Sequence, residues 1–206
     1  MKAEISTLLK REQELRRLIK LSALTIRPLH ADFDYAVSQW RASNKSQFWA
    51  RTSIRCMCAV IEAALFTLRK MAEQLALINK VQFDQKEAEL LAEKRIAKEN
   101  GAEKVRPLFL PLRDSVRQSY RLFGKALGVQ IAVDYGKGYQ ALCATFEVRN
   151  RLMHPKDPFS VEVRDSDLQT ANTAIAWFNK TQMDVVNQSK SQIGRRVEEL
   201  RSKLRR

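Results

Sequence analysis

Residues 51–76 read RTSIRCMCAVIEAALFTLRKMAEQLA. Within them Ile54, Cys58, Ile61, Leu65, Leu68, Ala72 and Leu75 recur alternately four and three residues apart, the spacing of one apolar seam on a helix packed in a bundle. The spacing predicts a long helix from about residue 47 to residue 79. Arg51, Arg55, Glu62 and Arg69 fall on a common flank of that seam, where a solvated shoulder around the core is the plain expectation.

Working outward, residues 3–26 carry a loose apolar stripe of Ile5, Leu8, Leu9, Leu15, Leu18, Ile19 and Leu21 and read as a helix. Arg27-Pro28 is expected to end or kink it, because a proline disfavours the α region for the residue before it. Asp32 and Asp34 then read as cap and first-turn residues of a short helix to about Arg41, and Ala42-Ser43-Asn44-Lys45-Ser46 reads as a break. Residues 85–99 read as a charged amphipathic helix stopped by Asn100-Gly101. Further helices are expected over about 112–127, closed by Gly128, and over about 138–153, opened by Gly136-Lys137-Gly138. That glycine pair lacks the Gly-Lys-Ser/Thr ending of a phosphate loop and reads as a turn. Phe159–Val163 alternates as a short extended segment, and Ser166 with Gln169 reads as the capping box of a last long helix. The fold class is therefore all-α, an up-and-down helical bundle with long N- and C-terminal helices. Its expected divisions are an N-terminal helical extension (1–29), the bundle (30–187) and a basic helical tail (188–206).

Composition agrees with that class. The 206 residues include only 6 Gly and 5 Pro, too few for a turn-rich β-sandwich, and 45% are hydrophobic, enough for a sizeable core. No uninterrupted apolar run approaches the roughly 18 residues of a membrane span. The start, Met1-Lys2-Ala3-Glu4-Ile5-Ser6, lacks the apolar core of a secretory signal. The 3 cysteines, Cys56, Cys58 and Cys143, are odd in number and suit free thiols of a reducing cytoplasm better than disulfides or zinc. The excess of 37 Lys+Arg over 23 Asp+Glu gives a formal charge of +14, which favours polyanionic partners.

The stretch with most chemistry is Phe146-Glu147-Val148-Arg149-Asn150-Arg151-Leu152-Met153-His154-Pro155-Lys156. Arginine grips phosphate with a planar fork of donors, and histidine exchanges protons near neutral pH. On a helical wheel Tyr139, Leu142, Cys143, Phe146 and Met153 share a core face. Asn150 falls near the middle of that face, with Arg149 on one edge and His154 on the other. Five residues of spacing turn Arg149 and His154 about 140° apart. Pro155 disfavours helical backbone at His154, which lets the ring leave the helix; alternatively, two copies of the helix pool their residues across a dimer axis. The plain alternative is a satisfied Asn, an Arg paired to a neighbouring helix through Glu62, and a helix-capping His.

The segment Arg149-Asn150…His154-Pro155 resembles the HEPN superfamily of all-helical domains, whose hallmark is an arginine, four to six intervening residues and a histidine, the first of those intervening residues often being asparagine. The resemblance in motif covers only this helix; the bundle, about 30–185, is similar in architecture alone. It implies a metal-independent endoribonuclease with no cofactor, acting on RNA as a homodimer in the cytoplasm. It also implies a toxin, phage-defence or RNA-processing role, with a cognate antitoxin as partner in the toxin case. Arg149, Asn150 and His154 would be the catalytic set, Glu62 the partner of Arg149, and Arg51, Arg55, Arg151 and Lys156 the guides for the RNA backbone. Two other readings stand beside it: a non-catalytic module that binds nucleic acid, nucleotide or protein, and a scaffold whose long terminal helices form a coiled coil.

Overall fold

In the computed structural model, which describes residues 2–99 and 102–204, the seam of residues 54–75 lies on one helix, α2 (Gln47–Asn79). Its seven expected core positions are all buried, none more than 5% exposed. Ser46 ends the preceding loop, where Asn44 and Lys45 take the left-handed φ values of 49° and 62°. The chain is mostly helical, with α1 (Lys2–Ala42), α3 (Gln85–Ala92), α4 (Leu112–Leu127), α5 (Lys137–Met153) and α6 (Asp165–Leu204) completing the set of α-helices. α4 and α5 match their expected bounds within one residue. Gly128 closes α4 at φ +68°, its N–H donating to Lys125 O, a conformation that L side chains rarely adopt.

Four expectations are corrected. First, α1 does not break at Pro28 but runs through it to Ala42, so Asp32 and Asp34 lie mid-helix rather than at a cap. A proline removes one donor, and the carbonyl that loses its partner belongs to Leu24, which is 64% exposed, so water can take it. Second, the helix expected over 85–99 stops at Ala92. Glu93 takes φ 54° and ψ 32°, its N–H turned to Glu89 O and Leu90 O. An antiparallel hairpin follows, β1 (Lys94–Glu99) against β2 (Ala102–Pro107). Asn100-Gly101, expected as a helix stop, lies outside the described residues. Third, Phe159–Val163 is extended only toward its end: Pro158–Val161 forms a 3-10 turn, its N–H of Ser160 held by the Asp157 carboxylate at 2.7 Å, and Glu162 after it is extended. Fourth, the box that opens α6 uses neither Ser166 nor Gln169. Asp167 reaches back to the Arg164 N–H at 2.9 Å.

The chain forms two compact units that interleave in sequence. The motif unit comprises Lys20–Ala64 and Val133–Asp184. Its core gathers Ile54, Met57, Ile61, Tyr139, Leu142 and Phe178, all under 3% exposed. Gly138 lets α5 approach α6 closely: a Cβ there would lie 2.5 Å from the Trp177 Cβ. The Trp177 indole N–H donates to Asp134 O at 2.8 Å. Gln47, at the start of α2, pairs like a strand with Val163, giving its amide N–H to Val163 O and accepting the Val163 N–H, both at 2.9 Å. The hairpin unit comprises Met1–Ile19, Leu65–Ala132 and Val185–Arg206. Tyr120, Leu122, Phe123, Leu127, Leu75 and Val185 fill its core. Here Gln188 repeats the same device, bonding the N–H and C=O of Ala132, both at 2.9 Å.

Candidate functional site

The motif lies in the last turns of α5, within the motif unit. The buried face of α5 is Tyr139, Leu142, Thr145, Phe146 and Leu152. Arg149 falls three residues after Phe146 and three before Leu152, so it occupies the centre of that face, while Asn150 is exposed. This reverses the wheel reading, which put Asn150 at the centre and Arg149 at an edge. Met153, expected in the core, is 47% exposed because the helix ends there. An arginine in line with the core needs partners for its charge. Arg149 finds them at the rim, with its side chain 30% exposed: Nη1 donates to Asn150 Oδ1 at 3.1 Å, and Nη2 lies 3.6 Å from Glu62 Oε2. Glu62 projects from α2 with a side chain 48% exposed.

Cys58 lies one turn before Glu62 on α2 and feels the same pair. Burial pushes its thiol pKa well up, the Glu62 carboxylate adds to the rise, and the Arg149 guanidinium opposes it. The thiol stays protonated at neutral pH and is no nucleophile.

His154 caps α5. Its backbone is non-helical, φ −131° and ψ 65°, as the following proline dictates, yet its N–H still donates to Asn150 O at 3.0 Å. The residue is exposed. The end of α5 is held by Arg55, whose Nη2 donates to Leu152 O at 3.0 Å, a cation on the negative end of the helix dipole. Arg51 donates to Val161 O at 3.3 Å.

Arg151 is the most heavily engaged of the expected RNA guides. It pairs with Asp167 at 3.0 Å and donates to Glu162 O at 2.6 Å and Ser160 O at 3.2 Å. It therefore joins α5 to the 3-10 turn and to the start of α6. Lys156 is exposed in the following loop. The structure thus joins Arg149, Asn150 and Glu62 by side-chain contacts and ties His154 to them through the backbone. It turns Arg51, Arg55 and Arg151 toward backbone carbonyls. Asp167 and Gln47, which hold this region together, were not singled out by sequence: Val163 lies far from Gln47 along the chain, and the pairing of Asp167 with Arg151 is not marked by its local bond to the Arg164 N–H. A cavity of about 570 Å³, lined by Glu147, Arg151, Asp157, Phe159, Arg164 and Asp167 among others, opens beside the same helix but includes none of Arg149, Asn150 and His154.

No protein-family model matches the chain, and neither a curated protein nor a solved structure does.

Proposed function

We propose that the motif unit is a HEPN-type, metal-independent endoribonuclease that acts as a homodimer. The observation that carries this reading is the end of α5. A guanidinium braced by an amide and a carboxylate stands partly open to solvent, and the next residue but four is an exposed histidine outside the helix. In the reaction the ribose 2′-OH attacks the adjacent phosphorus, the bond from phosphorus to the 5′ oxygen breaks, and a 2′,3′-cyclic phosphate and a 5′-OH result. One His154 takes the 2′ proton, and the other protomer's copy gives a proton to the departing 5′ oxygen. Arg149 holds the non-bridging oxygens and meets the charge that develops on them. Asn150 orients that guanidinium. A toxin or phage-defence role, with an antitoxin as partner in the first case, follows from the family resemblance alone.

The test is cleavage of total RNA by purified protein in EDTA. His154→Ala and Arg149→Ala are each expected to lose at least about a hundredfold in rate, the scale of general acid–base catalysis. Equal cleavage by wild type and both variants would assign the activity to a contaminant. One observation favours the second reading, a non-catalytic RNA-binding module: Glu62 competes with phosphate for Arg149. Salt-sensitive binding of RNA with no cyclic-phosphate product would select that reading.

A further inference from the structure

The charge of the chain is divided unevenly. The hairpin unit holds 25 Lys and Arg against 13 Asp and Glu, a net of +12, whereas the motif unit holds 12 against 10, a net of +2. Almost all of the chain's +14 therefore belongs to the unit without the Arg149–His154 segment.

Within that unit the hairpin is a basic ribbon. Lys94, Arg95, Lys104 and Arg106 are all exposed. The register sets Arg95 directly opposite Arg106, and Lys104 shares their face because side chains alternate along a strand.

The base of the ribbon is fixed. Arg69, only 5% exposed, gives Nη1 to the Ser115 and Ser119 hydroxyls at 3.0 and 2.9 Å and Nη2 to the Glu93 carboxylate, immediately before β1. The Leu108 N–H donates to Glu93 O at 2.9 Å and closes the ribbon from the other strand. Two residues beyond β2, Phe109 is 89% exposed, more than any other large apolar side chain described. An exposed ring beside a run of cations suits an unpaired base stacked above a phosphate backbone.

We infer that the hairpin with Phe109 is a binding arm for single-stranded RNA, in which Arg95, Lys104 and Arg106 neutralise phosphates and Phe109 stacks on a base. The choice of RNA as the strand rests on the ribonuclease reading of the motif unit, while the basic face and the exposed ring do not depend on the cleavage chemistry.

The experiment is fluorescence anisotropy of the full chain with a labelled 2′-O-methyl RNA of about 20 nucleotides, long enough for a groove-type site and unable to supply an attacking 2′-OH. Arg95→Ala/Lys104→Ala/Arg106→Ala is expected to weaken binding at least about tenfold and to lower the slope of log K against log salt by about 2. Phe109→Ala is expected to weaken it roughly tenfold with the slope unchanged. A charge-matched control, Lys20→Ala/Arg27→Ala/Lys137→Ala in the motif unit, is expected to have a far smaller effect. Arg95→Glu guards against misfolding: it places opposite charges across the ribbon, so the melting temperature should hold or rise while affinity falls. The proposal is overturned if the control triple weakens binding as much as the hairpin triple, or if Arg95→Glu binds like wild type. It is overturned for the stacking step if a duplex of the same sequence binds as tightly and Phe109→Ala is silent. The probe cannot be cut, so failure of the cleavage reading, scored on total RNA, and failure of the arm, scored by anisotropy, give different results.

Discussion

Arg149 is placed by the core rather than by the surface. It stands where a leucine would continue the line of Leu142, Phe146 and Leu152, and its charge is accommodated only because Glu62 and Asn150 meet it at the rim. Replacing Glu62 with Gln removes the competing carboxylate. If Arg149 is a phosphate ligand, Glu62→Gln should tighten RNA binding, measured by anisotropy, by a few-fold; a weakening would show that Glu62 is needed to aim the guanidinium. Gly138 is a second residue fixed by packing. A methyl group there would drive into Trp177, and Gly138→Ala should cost about 1–3 kcal/mol in denaturant unfolding, the usual scale of overpacking. Glu87 is a third, buried in the hairpin unit. Burial alone would raise its pKa, but the Lys125 ammonium, the Asp84 N–H and the Arg121 guanidinium outweigh it and hold the carboxyl below its ordinary 4.5. A depressed folded pKa stabilises the fold above the unfolded value, and that stabilisation is lost as pH falls through the folded one. The melting temperature of wild type should therefore exceed that of Glu87→Gln at pH 7, and the gap should narrow as the solution is acidified below about pH 4.

At the scale of elements, α1 shows how much a helix tolerates. Pro28 lacks the N–H that would bond Leu24 O, yet the helix continues for a further fourteen residues to Ala42. Pro28→Ala restores the donor and should stabilise the chain by up to about 3 kcal/mol, read as a rise in melting temperature. No change would mean that the unfolded-state restriction by proline offsets the lost bond. The 3-10 turn depends on one side chain for most of its connection to α5. Arg151→Ala removes the cation paired with Asp167 and the donor to the Ser160 and Glu162 carbonyls, and the expected loss is about 2–4 kcal/mol. Arg151→Lys keeps the charge but cannot span the same acceptors, so it should recover little of that stability. A full recovery by lysine would instead mark Arg151 as a contributor of charge alone.

For the whole molecule, the separation of charge from motif is the main structural fact. The chain keeps nearly all of its net positive charge in one unit and its Arg-Asn-His segment in the other, so the proposed binding and the proposed chemistry fall to different units. The proposed cleavage needs two copies of His154, so light scattering should give a mass of about twice the 23.8 kDa chain at concentrations where RNA is cut. A monomer cutting at full rate would require one histidine to serve as both base and acid. Among the described residues no helix is long and apolar enough to cross a membrane.

Periodicity alone determined the helices whose apolar faces repeat cleanly: α2 with its seven-residue seam, α4 with its Gly128 stop, and α5 between a glycine and a proline. It also determined that His154 leaves the helix, because the following proline acts on local backbone sterics. Local sequence could not place what depends on distant partners. The centring of Arg149 in the core face and the use of Arg51, Arg55 and Arg151 as ties to backbone carbonyls were decided by tertiary contacts. The hairpin stands between the two cases. Lys94, Arg95, Ala97, Lys98 and Glu99 are good helix formers, so local propensity favours a helix there, and pairing with 102–107 above the Arg69–Glu93 anchor overrides it.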